Sequence, residues 1–228
     1  MRLLRLRSSV PWKRALGELA LIVGGVLIAL ALDSWWQGRE ERDRETAYLH
    51  QLLADLQETQ SRLEESVTGD DRMLEWVSGV LERAYNGSPP PSDSLDLPTG
   101  YNQFRPLTGT QVALVQSGDL QLVESDGVRF RVIAYTALIE ATEALLRHTE
   151  TLIWNSTERV IRARALHSRG SGSRWGAIDA AAALGDPELI SALEVQAAAS
   201  RNRVRNLRRL EEPTAELIRL VEAELAER

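Results

Sequence analysis

The sequence predicts an all-α protein: one N-terminal transmembrane helix continuing into a stalk, followed by a bundle of long antiparallel helices. Three observations carry this expectation. Residues 15 to 36 form an apolar run of membrane-crossing length. Beyond it, apolar residues recur at three- and four-residue steps, and no stretch alternates as a half-buried strand does. Five of the eight prolines gather in one segment, 86 to 107, leaving long proline-free stretches on both sides of it.

Residues 1 to 14 are a basic tip with Arg2, Arg5, Arg7, Lys13 and Arg14 and no acid. The run from 15 to 36 would make about 33 Å of helix, enough to cross the hydrocarbon core. The same features fit a secretory signal, with Ala29-Leu30-Ala31 as a cleavage site. Length argues for retention, because the run of 18 residues from Ala15 to Leu32 exceeds a signal's usual apolar region of about 7 to 15. Trp12, Lys13 and Arg14 at one end and Trp35 and Trp36 at the other stand where membrane-interface anchors belong. After the run, Arg39, Arg42 and Arg44 are interleaved with Glu40, Glu41, Asp43 and Glu45. The positive-inside rule then expects the tip in the cytoplasm and residues 37 to 228 in the periplasm, on a bacterial inner membrane.

The body divides by its punctuation. Leu49, Leu52, Leu56, Leu63 and Val67 make one apolar stripe, widened by Leu53 and expected to break at Thr68-Gly69. Asp70 is then placed to cap a second helix that ends at Asn86-Gly87. The proline-rich loop, 86 to 107, is expected either to pack over the bundle by Leu95, Tyr101 and Phe104 or to contact a partner. A short helix from Thr110 to Ser117 ends at Gly118. Ser125-Asp126 opens a long helix to about Leu166, with a stripe through Val128, Val132, Tyr135, Leu138, Thr142, Leu145, Thr149, Leu152 and Ser156. Residues 169 to 176, RGSGSRWG, read as a flexible joint. Asp186-Pro187 supplies an N-cap and first-turn pair for the last helix, which Pro213 should kink or split.

Composition excludes several chemistries. Without cysteine there is no disulfide, thiolate metal site or cysteine nucleophile. After Trp36 the chain holds 22 basic and 31 acidic side chains, a balance that disfavours nucleic acid as a partner. The basic run 201 to 209, RNRVRNLRR, lacks interleaved aromatics and is expected as a solvated or salt-bridged helix face. His50, His148 and His167 are far apart and none has a second ligand at helical spacing. No phosphate-cradling loop or nucleophile motif is present. No catalytic, cofactor-binding or metal-ligating residue is therefore expected, and the protein is expected not to be an enzyme.

Glu18 stands out, an acid near the front edge of the apolar run. Glu18, Ile22, Gly25 and Ala29 share one helical stripe, and Gly25-x-x-x-Ala29 is a small-residue pair that lets two helices approach closely. Two readings stand: Glu18 pairs with Arg14 one turn inside the interface, or it faces a helix–helix interface in an oligomer.

This segment resembles the N-terminal signature of a family of uncharacterised bacterial single-span membrane proteins, a domain of unknown function. The matching positions are Gly17, Glu18, Leu19, Leu21, Gly25, Val26, Leu27, Ile28, Ala29, Leu30 and Trp35. Asp33 and Ser34 replace two asparagines usual in the family, and Ala31 a common glutamine. Residues 112 to 139, a short helix, Ser-Gly and a tyrosine-bearing helix, resemble the family more loosely. The resemblance implies membrane location and a helical fold, and no activity.

Together these readings expect a membrane-anchored interaction protein. Its partners would be membrane lipid, further copies of the chain and another envelope protein. A sensory or ion-coupled accessory subunit using Glu18 is the alternative.

Overall fold

A computed structural model describes residues 12–88, 103–169, 177–178 and 180–227. It is all-α apart from a two-residue ladder. The helices are α1 (Trp12–Asn86), α2 (Gly109–Ser117), α3 (Asp126–His167), α4 (Ala180–Leu184) and α5 (Pro187–Ala226). A 3-10 turn, Asp119–Leu122, links α2 to α3. The strands β1 (Ser168–Arg169) and β2 (Ala177–Ile178) pair antiparallel, so the expected flexible joint carries a short ladder at its ends. The chain forms two compact units, Met1–Ala47 and Tyr48–Arg228.

In the first unit, α1 bears a stretch long and apolar enough to cross a membrane, none of it buried. Leu21, Leu27 and Ile28 are each at least 60% exposed, which no packed core helix shows.

The second unit is held by three long helices, the part of α1 from Tyr48 packing with α3 and α5. Their buried positions keep one rhythm. In α1 they include 49, 52, 56, 59, 63, 66 and 70; in α5 they include 189, 193, 196, 200, 203, 207, 210, 214, 217 and 221. In α3 they include 128, 132, 135, 139, 142, 146, 149, 153, 156, 160 and 163. Steps of three and four alternate strictly, giving the 3.5-residue spacing that keeps a helical seam facing its partners over many turns. Each leucine of these seams stabilises the bundle by about 1.5–3 kcal/mol relative to exposure.

Four expectations are corrected by this packing. The α1 helix does not break at Thr68-Gly69, which lie exposed while Ser66, Val67 and Asp70 stay on the seam. Tertiary packing outweighs the cost of about 1 kcal/mol for one helical glycine. Asp70 is therefore not a cap but a core residue. In α3 one column of the stripe is displaced by a residue: Ile139, Leu146 and Ile153 are buried, whereas Leu145 and Leu152 are 51% and 38% exposed. Pro213 does not split α5, whose helix runs unbroken through it.

The punctuation otherwise falls as read. Gly87 (φ 62°) and Gly118 (φ 82°) take the left-handed conformation that stops a helix. Ser125 Oγ accepts from Val128 N at 3.3 Å, and Asp186 Oδ1 accepts from Glu188 N at 2.9 Å with Pro187 in the first turn. Phe104 packs over the bundle as expected; Leu95 and Tyr101 lie outside the described residues. Leu107 N donates to Thr59 Oγ1 at 2.9 Å, and Thr110 Oγ1 to Asp55 Oδ2 at 2.6 Å, tying the loop's end to α1.

Candidate functional site

The first set of residues is the stripe of the apolar stretch. Glu18, Ile22, Gly25 and Ala29 all lie exposed on α1, and a Cβ built on Gly25 would meet nothing within 4 Å. Trp12, Trp35 and Trp36 are 75%, 57% and 66% exposed. Lys13 and Arg14 belong to α1, but their side chains lie outside the described residues, and with them the Glu18–Arg14 pair. Just beyond the tryptophans, Arg42 Nε donates to the Gly38 carbonyl at 3.0 Å, and Trp35, Arg39, Arg42 and Asp43 line a shallow groove.

The second set was not singled out from the sequence as a site. Asp70 of α1 and Arg203 of α5 occupy seam positions, and Arg203 Nη1 donates to Asp70 Oδ2 in the interior. Arg203 is fully buried. Loss of solvent pushes the Asp70 carboxyl up to about 6 from the ordinary 3.8. Arg203 opposes that rise, and the neighbouring negative charges of Asp71 and Glu150 add to it.

Small polar side chains continue this layer. Thr142, Thr149 and Ser156 take seam positions of α3, and Gln196 and Ser200 those of α5. Thr149 Oγ1 donates to Leu145 O at 3.1 Å and Ser156 Oγ to Ile153 O at 2.8 Å, so the hydroxyls are satisfied on their own helix. Gln196 Nε2 lies 3.9 Å from Met73 Sδ, and Asn202 Nδ2 donates to Thr149 Oγ1 at 3.5 Å. At the surface Arg208 pairs with Asp71 at 2.6 Å. Asp70, Arg203, Thr149, Ser156 and Ser200 fall between two apolar clusters, one containing Leu49–Val67 of α1 and the other Val77 and Val80.

A buried ion pair of this kind is poor at adding stability and good at fixing which residues face each other. Its chemistry is registration: any slip of α5 against α1 leaves a cation and a carboxylate in apolar surroundings. A signal for it was present, since Asp70 follows Leu63 and Ser66 at seam steps and Arg203 precedes Leu207 and Leu210. The run RNRVRNLRR hid it, because Arg201, Arg205, Arg208 and Arg209 are indeed exposed and only Arg203 turns inward.

A third feature is Gln111 of α2, fully buried, whose side-chain amide has no hydrogen-bond partner among the described residues. A polar opening of about 250 Å³ lies elsewhere, lined by Gln103, Phe104, Arg105, Glu143, Leu146, Arg147 and Glu150. Of the histidines, His50 and His148 are exposed and the His167 side chain lies outside the described residues. Among the described residues no three metal-ligating side chains cluster. No family model, curated protein or solved structure matches this chain.

Proposed function

We propose that the protein is a non-enzymatic membrane anchor that self-associates through its span and presents its helical body to an envelope partner. The observation carrying this reading is α1 itself. One helix bears a fully exposed apolar stretch of bilayer length and, from Tyr48, a third of a well-packed core. In water, so large an apolar surface would be a liability; in a bilayer it is the favourable state. The basic tip and the tryptophans at both ends fit a retained span with the N-terminus inside, in a bacterial inner membrane. Gly25 and Ala29 offer the close approach that span association uses, with Glu18 on the same stripe.

Chemical cross-linking of the full chain in native membranes tests the association. The wild type should give a covalent dimer or higher band through the span, and Gly25→Leu should reduce it severalfold. A monomer in both forms would sink the idea. An ion-coupled accessory role would instead require Glu18→Gln to change proton leak or conductance.

A further inference from the structure

One face of α3 is packed, and the opposite face is apolar as well. Phe130, Ile133 and Trp154 are 69%, 52% and 63% exposed, and Leu145 and Leu152 are partly exposed beside them. Between them lies a floor of small exposed side chains, Ala134, Ala137, Ala141 and Ala144. The positions 130, 134, 137, 141, 144 and 148 alternate steps of four and three, as the inner seam does. A merely solvated face would place its charges here. Among the described residues, no other part of the chain covers these side chains.

The two rows flanking this outer seam decide what fits it. One row is Ile133, Glu140, Arg147 and Trp154; the other is Arg131, Leu138, Leu145 and Leu152, with Arg131 already paired to Glu216 of its own chain at 2.6 Å. Glu140 and Arg147 are exposed, and neither has an ion-pair partner among the described residues. In an antiparallel pair of such helices, each row faces its own copy. Centred between Ala141 and Ala144, the pairing sets Glu140 against Arg147 of the partner subunit and Ile133 against Trp154 of the partner subunit. The two-fold axis makes both contacts twice. Leu138 meets Leu145 of the partner subunit on the other side. In a parallel pair the rows cross, and each of these charges would face a leucine.

We propose that the outer face of α3 binds a second copy of this chain in antiparallel register, with alanines at the centre and reciprocal Glu140–Arg147 pairs at the edge. The alanine floor allows close backbone approach, and the exposed aromatic and aliphatic side chains supply the buried area. The charges contribute orientation more than affinity. The span stripe and the outer face of α3 are separate stretches of the chain, so the two contacts are separately testable.

Cysteine cross-linking of the full chain in detergent is direct, because the chain contains no cysteine of its own. Residues 140 and 147 are about 10.5 Å apart along one helix, too far for a bond within a copy. The double variant Glu140→Cys with Arg147→Cys should therefore give a disulfide dimer on a denaturing gel, unchanged in a Gly25→Leu background. Each single variant, and Ala134→Cys, should stay monomeric on that gel. Without cysteines, Glu140→Arg should weaken dimerisation about tenfold in Kd, and adding Arg147→Glu should restore it. The proposal is overturned if the double variant, helical and melting like wild type, forms no covalent dimer. It is equally overturned if Ala134→Cys links instead, which would mean a parallel pair.

Discussion

The Arg203 guanidinium is fully buried, and its ion-pair partner Asp70 carries the pH dependence. Asp70 is held at about 6 in the folded chain and near 3.8 when unfolded. Between those values the native state binds a proton that the unfolded state does not. The stability this group contributes is therefore complete below about pH 4 and is lost as pH rises through about 6. Arg203→Met removes the one group that draws the carboxyl pKa down, and should lower stability at pH 7.5 by about 3 kcal/mol in urea unfolding. That loss should shrink towards pH 5, where a protonated Asp70 needs no cation. Asp70→Asn combined with Arg203→Met should recover most of it at pH 7.5, since neither buried charge then remains. An equal loss at every pH would mean that Arg203 matters for its volume and not for its charge. At this scale the sequence was only half legible. The charged residues and their spacing were visible, but which arginine of a basic run turns inward depends on a neighbouring helix that one sequence segment does not display.

At the scale of elements, most boundaries were written in local chemistry. Gly87 and Gly118 stop helices by adopting positive φ, and Asp186-Pro187 starts one with its carboxylate and fixed ring. The misreadings were of registry. In α3 the stripe expected from the sequence meets the seam at Val132, Tyr135, Thr142, Thr149 and Ser156, but places Leu138, Leu145 and Leu152 in the column that Ile139, Leu146 and Ile153 fill one residue later. The leucines at 145 and 152 made the wrong row attractive, being apolar for a surface role rather than for the core. Thr142, Thr149 and Ser156 sit on the true seam, and the hydroxyls of Thr149 and Ser156 bond backwards along the helix instead of reaching solvent. Leu146→Ala should consequently cost about 2–5 kcal/mol, while Leu145→Ala should stay within about 0.5 kcal/mol. Urea unfolding at low protein concentration reads both, and comparable losses would show that the seam is misplaced. Thr68-Gly69 failed as a break for a related reason. Core contacts on both sides of it hold α1 helical where local propensity alone would pause.

At the scale of the whole molecule, the fold class was legible because the apolar run and the helical body obey different rules. Apart from Glu18 the run is apolar on every face, whereas the long body helices bury a seam and carry their charges outside it. Function was less legible, since an anchor that acts by placement and binding, as proposed above, would need no diagnostic motif. Retention of the span in a bilayer, uncleaved, is the claim on which the rest depends. It is tested most directly by alkaline carbonate extraction of membranes from expressing cells, followed by intact-mass measurement of the recovered chain. A retained anchor predicts a chain that stays in the membrane pellet with residues 1 to 36 still attached. A chain released into the supernatant, or one beginning after Ala31, would contradict it.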